Sequence, residues 1–282
     1  MAKILYGKPV TQSIRDDIRE RAGKLREAGV VPKLAILRSG TRPDDIAYEK
    51  RLTKICEETG IEHVTCEVDR NVSQRQLELD LSALNNDHLI HGIIVFRPLP
   101  DHIDDELICS IMSVDKDIDC MNPNNLKNLF TGLVNGFAPC TPEAVIALLD
   151  YYGYDLDGAN VVIVNRSLVV GKPLSMLFLR RNATVTICHS HTKNLQEITK
   201  RADIVVTGTG RADFFGPEYF SSGTTVVDVG INFNDSGKMT GDVDFDNTSQ
   251  KVAAISPVPG GVGGITSTIL LRHLIESAER YI

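Results

Sequence analysis

Apolar positions along this chain alternate between two periods almost from end to end. Short runs rich in Val, Ile and Leu, at Lys33–Leu37, Glu62–Val68, His91–Phe96, Val161–Val164, Ala183–Cys188, Asp203–Thr207 and Thr224–Val229, predict strands. Between them Thr11–Ala28, Asp44–Thr59, Ser73–Leu84, Asp104–Met112, Glu143–Tyr151, Leu174–Leu179 and Asn194–Arg201 carry apolar residues at helical spacing, and Ser267–Tyr281 closes the chain as a helix. Thr11 is the expected N-cap of the first helix, with Ile14, Ile18 and Leu25 near one face. Strand and helix in regular exchange predict parallel sheets covered by helices, so the fold class is α/β. A stretch richer in Asn, Pro and Gly, Asn122–Pro142, interrupts the exchange and reads as a link between two α/β units.

The segment Asn160–Thr192 concentrates the chemistry. A strand ending at Val164 is broken by Asn165-Arg166-Ser167, a helix resumes after Gly171-Lys172-Pro173, and the next strand ends in His189-Ser190-His191. Polar side chains therefore stand at the carboxyl ends of two consecutive strands, the edge where open parallel sheets bind ligands. The pattern suits a dinucleotide: free backbone N–H groups and the helix dipole face a pyrophosphate, while Arg166 and Ser190 suit an adenosine 2′-phosphate, which selects NADP over NAD. The usual GxGxxG fingerprint is absent, and an ordinary α/β turn with a surface arginine fits the same residues. His189 and His191 read as solvated loop residues.

Composition narrows the class without changing it. The 282 residues suffice for one large or two modest domains, and a net charge of −7 with scattered basic residues excludes a nucleic-acid or membrane-surface protein. The N-terminus MAKILYGKPV lacks a signal-peptide pattern, so a cytoplasmic location is expected. The six cysteines form no CxxC pair and are expected to be reduced and mostly buried, with no metal site.

Nine motifs in order then carry a resemblance: Tyr48, PLP (Pro98–Pro100), KDID (Lys116–Asp119), PCTP (Pro139–Pro142), RS-x-VVGKP (Arg166–Pro173), ATVTICHS (Ala183–Ser190), VVDVGIN (Val226–Asn232), GDVDF (Gly241–Phe245) and PVPGGVG (Pro257–Gly263). Over nearly its whole length the chain resembles the methylenetetrahydrofolate dehydrogenase/cyclohydrolase family. The resemblance implies an N-terminal α/β folate domain of residues 1–140 plus the helix 266–282, a Rossmann-type NADP domain of residues 141–265, and a cleft between them. It implies a homodimer with a folate substrate. It also implies that Tyr48 packs on the aminobenzoate ring and Asp119 hydrogen-bonds the pterin, these two being the catalytic residues, with Pro98, Pro259 and Gly260 completing the substrate site. Asn165, Arg166, Ser167, Ser190, Gly210, Ile231 and Thr266 are then the NADP contacts.

Departures from the family pattern decide the expected activity. The family lysine four residues after the tyrosine is Leu52 here, and the glutamine before PLP is Phe96. Asp45 replaces a serine, Cys120 a glycine and Gly264 a proline. Lys54 is out of phase with Tyr48 on the helix, and Arg51, though in phase, stays protonated near neutral pH. Hydride transfer from the methylene carbon needs alignment, whereas hydrolysis of the methenyl product needs a proton acceptor. The expectation is an NADP-dependent dehydrogenase with weak or absent cyclohydrolase activity. Three alternatives stay open: a fully bifunctional enzyme, a dehydrogenase of a related one-carbon pterin, and a non-catalytic NADP-binding protein.

Overall fold

The computed structural model describes residues 1–132, 136–233 and 237–282, so part of the stretch read as a link lies outside the described residues. In chain order the elements are β1 (Lys3–Ile4), α1 (Gly7–Glu27), β2 (Lys33–Ser39), α2 (Pro43–Thr59), β3 (Glu62–Val68), α3 (Gln74–Asn86), β4 (Gly92–Val95), α4 (Asp105–Ile111) and α5 (Pro123–Thr131). They continue with α6 (Cys140–Tyr151), β5 (Asn160–Val164), α7 (Gly171–Leu179), β6 (Thr184–Cys188), α8 (Leu195–Lys200), β7 (Ile204–Thr207) and β8 (Thr225–Asp228). A short pair, β9 (Asn232–Phe233) and β10 (Met239–Thr240), precedes α9 (Phe245–Thr248), β11 (Ala254–Ile255) and α10 (Gly263–Ala278). The chain divides into two compact units, residues 13–138 with 267–282 and residues 1–12 with 139–266.

The first unit is built on a parallel sheet in the order β3-β2-β4. Central β2 and β4 are buried along almost their whole length, which is why both read as unbroken apolar runs rather than alternating ones. Ala35, Leu37, Ile93, Leu77 and Ile108 share one core. The helix starts are encoded locally: Ser73 Oγ accepts from Gln76 N, and Asp104 accepts from Leu107 N. Helix α5 occupies much of the stretch expected as a link, because Asn122 caps it and Pro123 takes its first position. Lys116, in the KDID motif, donates its Nζ to the carbonyls of Leu84, Asn85 and Asp87 at 3.3, 2.7 and 2.7 Å, closing the end of α3. Burial holds that ammonium below the usual lysine range.

In the second unit six parallel strands run β1-β11-β8-β7-β5-β6. The sequence expectation gave residues 1–12 to the folate domain; instead β1 pairs with β11, Lys3 opposite Ala254 and Ile4 opposite Ile255, and those residues belong here. Helix α1 begins at Gly7, four residues before the expected cap Thr11, and tolerates Pro9 because the first turn has no intrahelical acceptor to lose. Gly7 N donates to Gly260 O at 2.8 Å, and a Cβ at Gly7 would overlap the Gly261 carbonyl oxygen. The chain makes β5 and β6 on one side, then returns past β5 to make β7, so the order reverses between β5 and β7. Ligands of open α/β sheets sit at such a reversal.

Candidate active site

At that reversal the Asn165 side chain joins the loops after β5 and β7. Its Nδ2 donates to Gly208 O, while its Oδ1 accepts from Ser167 N at 2.8 Å and Gly171 N at 3.0 Å. A Cβ on Gly171 would overlap the Asn165 carbonyl oxygen, so this one glycine performs the close helix-to-strand approach that a glycine-rich fingerprint otherwise provides. Val170 N bonds Ser167 Oγ and Lys172 N bonds Ser167 O, both at 3.0 Å. The amides expected to be open to a pyrophosphate at Ser167, Val170, Gly171 and Lys172 are thus spent inside the loop. Arg166 and Ser190 are both exposed, and each stands two residues beyond the paired strand ends Val164 and Cys188. Leu168 and Val169 are exposed apolar residues in the loop after β5, and Ile231 is exposed beyond the end of β8. A rigid cradle with an outward guanidinium, a hydroxyl on the neighbouring strand and apolar surface fits a phosphorylated dinucleotide.

Two buried carboxylates, to which the sequence assigned no role, hold the loops beyond β7 and β8. Asp228 accepts from Gly230 N and Val243 N, each at 2.9 Å, and from Thr207 Oγ1 at 3.1 Å. Asp242 accepts from Thr209 N and Oγ1, from Arg211 N at 3.1 Å and from Asn232 Nδ2 at 2.9 Å. A Cβ on Gly230 would strike Asp242, and one on Gly241 would strike Asp228. The glycines of VVDVGIN and GDVDF are there to let the carboxylates in. Burial pushes Asp228 up to about 7, against the pull of its donors. Gly210 turns this loop with φ 70°, and Ile231 follows Gly230 into solvent. Pro259 and Gly260 are exposed in the loop that packs on Gly7, and Thr266 is half-buried in α10.

In the first unit Tyr48 lies half-buried on α2, its ring centroid 5.2 Å from that of Phe96. One turn along, Leu52 is fully buried in the core. Phe96 is 5% exposed. Arg51 holds its guanidinium 5.1 Å from the Tyr48 ring centre, in cation–π range. Lys54 is exposed, roughly 240° around the helix from Tyr48. Pro98 follows Phe96 by two residues and is exposed. The KDID stretch runs parallel beside β4 through an Ile93 to Asp117 bridge. Asp117 is the buried acid of that motif; it accepts from Met121 N and Asn122 N at 2.8 Å and Asn125 Nδ2 at 2.6 Å, and burial raises its pKa. Asp119 is half-buried. Cys120 has φ 60°, a left-handed conformation that accounts for a glycine in the family pattern.

These two units define a class: a parallel α/β protein with a dinucleotide-type crossover in one unit and an aromatic, carboxylate-bearing sheet edge in the other. Residues 5–119 match the tetrahydrofolate dehydrogenase/cyclohydrolase catalytic domain, and residues 139–282 match the NAD(P)-binding domain of the same name. The chain belongs to the tetrahydrofolate dehydrogenase/cyclohydrolase family. It is 53% identical over 280 residues, 99% of each chain, to the "Bifunctional protein FolD" of Clostridium botulinum strain 657. The solved bifunctional methylenetetrahydrofolate dehydrogenase/cyclohydrolase of Campylobacter jejuni superposes with a TM-score of 0.96 at 38% identity, covering 100% of both chains. A Trypanosoma brucei dehydrogenase-cyclohydrolase solved with NADP cofactor and inhibitor gives 0.91 at 33% identity, over 99% of this chain and 98% of that one. Among the described residues no helix is long and apolar enough to cross a membrane, and all six cysteines are unbridged.

Proposed function

We propose that this chain oxidises 5,10-methylenetetrahydrofolate to 5,10-methenyltetrahydrofolate with NADP, and that it hydrolyses the methenyl product weakly or not at all. Bound NADP supplies the hydride acceptor. Arg166, with Ser190 beside it, takes the 2′-phosphate, Ser167 lies by the phosphates, and Asn165 fixes the loop that carries them. Gly210, Ile231 and Thr266 complete the cofactor side. Tyr48 stacks on the aminobenzoate ring, Asp119 hydrogen-bonds the pterin, and Pro98, Pro259 and Gly260 shape the substrate site. Oxidation is driven by a ring-nitrogen lone pair as the amidinium forms, so no residue has to remove a proton and alignment suffices. A folate-bound homodimer in the cytoplasm belongs to the same reading.

The observation that carries the missing second activity is the pair Leu52 and Phe96. Both are buried hydrocarbon against or one turn from Tyr48, at the positions where the family pattern places an amine and an amide. Arg51 does not replace the amine as a base, because a guanidinium keeps its proton near neutrality. Water activation is typically worth ~10²–10⁴ in rate, and that factor is what the substitutions forfeit. The names of the relatives favour a second reading, the full bifunctional enzyme. Absorbance-monitored turnover of the methylene and methenyl substrates side by side, with NADP and NAD compared, separates the two. The expected result is NADP-dependent oxidation with methenyl loss at the spontaneous rate; methenyl hydrolysis well above that rate establishes the bifunctional reading.

A further inference from the structure

We infer that Asp242 is a positioning residue for the cofactor: its buried carboxylate holds two separate turns, at Gly210 and at Ile231, in the geometry that receives NADP. The inference deepens the function proposed above and rests on it, because Gly210 and Ile231 are cofactor contacts only under that reading.

The two turns follow different strands, β7 and β8, and share one anion. Thr209 N and Arg211 N, the amides on either side of Gly210, both donate to Asp242, the first to Oδ2 and the second to Oδ1 at 3.1 Å. Thr209 Oγ1 adds a third donor, to Oδ2 at 2.9 Å. With Gly210 at φ 70° the turn forms a small nest of backbone N–H groups, a shape that takes an anion, and the chain supplies that anion itself. On the other turn Asn232 Nδ2 donates to Asp242 Oδ1 at 2.9 Å, and Gly230 N donates to Asp228 Oδ1 at 2.9 Å. Ile231 therefore stands between two pinned neighbours.

That arrangement leaves an isoleucine 60% exposed on a turn whose two flanks are tied to carboxylates only 3% and 0% exposed. Holding an exposed apolar side chain so firmly buries little for the fold, but it favours a ligand that packs there, because the ordering is complete before the ligand arrives. The carboxylate is itself anchored. Phe215 N donates to Asp242 O at 3.0 Å, and the next residue, Val243, donates its N–H to Asp228 Oδ2 at 2.9 Å. Each oxygen of Asp242 accepts two bonds, one of them from a backbone amide beside Gly210. An asparagine in its place must aim an N–H at the N–H of Thr209 or of Arg211, so Asp242→Asn unfastens one side of the Gly210 turn at nearly constant volume.

The test measures the Kd of NADP by calorimetry, and the KM values of NADP and methylenetetrahydrofolate by turnover, in the full-length wild type, Asp242→Asn and Asn232→Ala. Asn232→Ala cuts only the link to the Ile231 turn and leaves Asp242 with Thr209 and Arg211. Val205→Ala, a cavity made in the middle of buried β7, controls for lost stability. Asn232→Ala should raise the Kd and KM of NADP about tenfold and Asp242→Asn about 10–100-fold, with the KM of methylenetetrahydrofolate within about twofold of wild type. Val205→Ala should bind NADP as wild type does. A purely structural Asp242 gives a different result: less active protein, and so a lower kcat, with both KM values unchanged. That result, or an equal loss of NADP affinity in Val205→Ala, overturns the inference; if Asp242→Asn does not fold, Asn232→Ala decides alone. A wild type that fails to bind NADP overturns the cofactor reading and this inference with it, whereas wild-type binding with an unchanged Kd in the folded variants overturns only the role given to Asp242.

Discussion

The strand ends of the two units are held by different materials. In the second unit, polar groups fix the loops: Asn165 spans two of them, and Asp228 and Asp242 collect backbone amides from one of these and from two further segments. In the first unit, the positions around Tyr48 are filled by Leu52 and Phe96, with ion pairs such as Arg38 to Glu49 behind them. A preorganised polar scaffold preserves geometry, which a hydride transfer needs; hydrocarbon excludes water but cannot take a proton from it. The contrast teaches that the two family reactions draw on different residues, so that on the proposed reading one could persist without the other.

The sharpest way to break this contrast is to restore polarity to the first unit. Leu52→Lys with Phe96→Gln should raise methenyl hydrolysis by about 10²–10⁴ over wild type. It should also lower stability, since an amine enters a fully buried position. No gain in a folded double variant would mean that more than these two side chains differ.

In the second unit the matching experiment removes a charge. Asp228 holds its proton more tightly folded, at about 7, than its ordinary 3.8. Its contribution to stability is therefore fully present below about pH 4 and lost as pH rises through about 7. Asp228→Asn should flatten that part of the pH dependence, a difference on the order of 2–4 kcal/mol between pH 4 and pH 8 in urea unfolding. An unchanged profile would mean that this carboxyl does not titrate with folding.

A smaller effect tests the cofactor loop. Arg166→Ala should weaken NADP by about 10–100-fold and NAD much less, read by fluorescence titration of both. Equal losses would remove Arg166 from the 2′-phosphate. Smallest is Cys120→Gly: relief of the left-handed backbone at φ 60° opposes the loss of a buried thiol, so stability should move by less than ~1 kcal/mol. A larger cost would show that the side chain holds the KDID loop.

Much of the architecture is legible in the apolar pattern, because central parallel strands announce themselves as unbroken runs. Even the mixed edge run Glu62–Val68 is observed with the expected bounds. Helix α5 is not legible in the apolar pattern although Asn122-Pro123 is a start signal, because its few apolar residues stand among turn formers. The start of α1 depends on Gly260 and Gly261, far away in sequence, which no local pattern reveals. For the same reason Asp228 and Asp242 have no legible role, since their partners lie up to 33 residues off, whereas the amides at the β5–α7 turn are closed by Asn165 and Ser167 only a few residues away. The alternation of Asp with Gly in those two motifs was the available signal, a carboxylate entering where a Cβ is missing.

Neither unit is a continuous piece of chain. The second takes its edge strand and the start of α1 from the first dozen residues, and the first takes most of α10 from the last sixteen. Cutting the gene near residue 138 would hand each fragment a foreign tail and deny it a native one. The two halves are consequently unsuited to separate expression, and a tag or fusion at either terminus attaches to the unit that the middle of the sequence would not suggest.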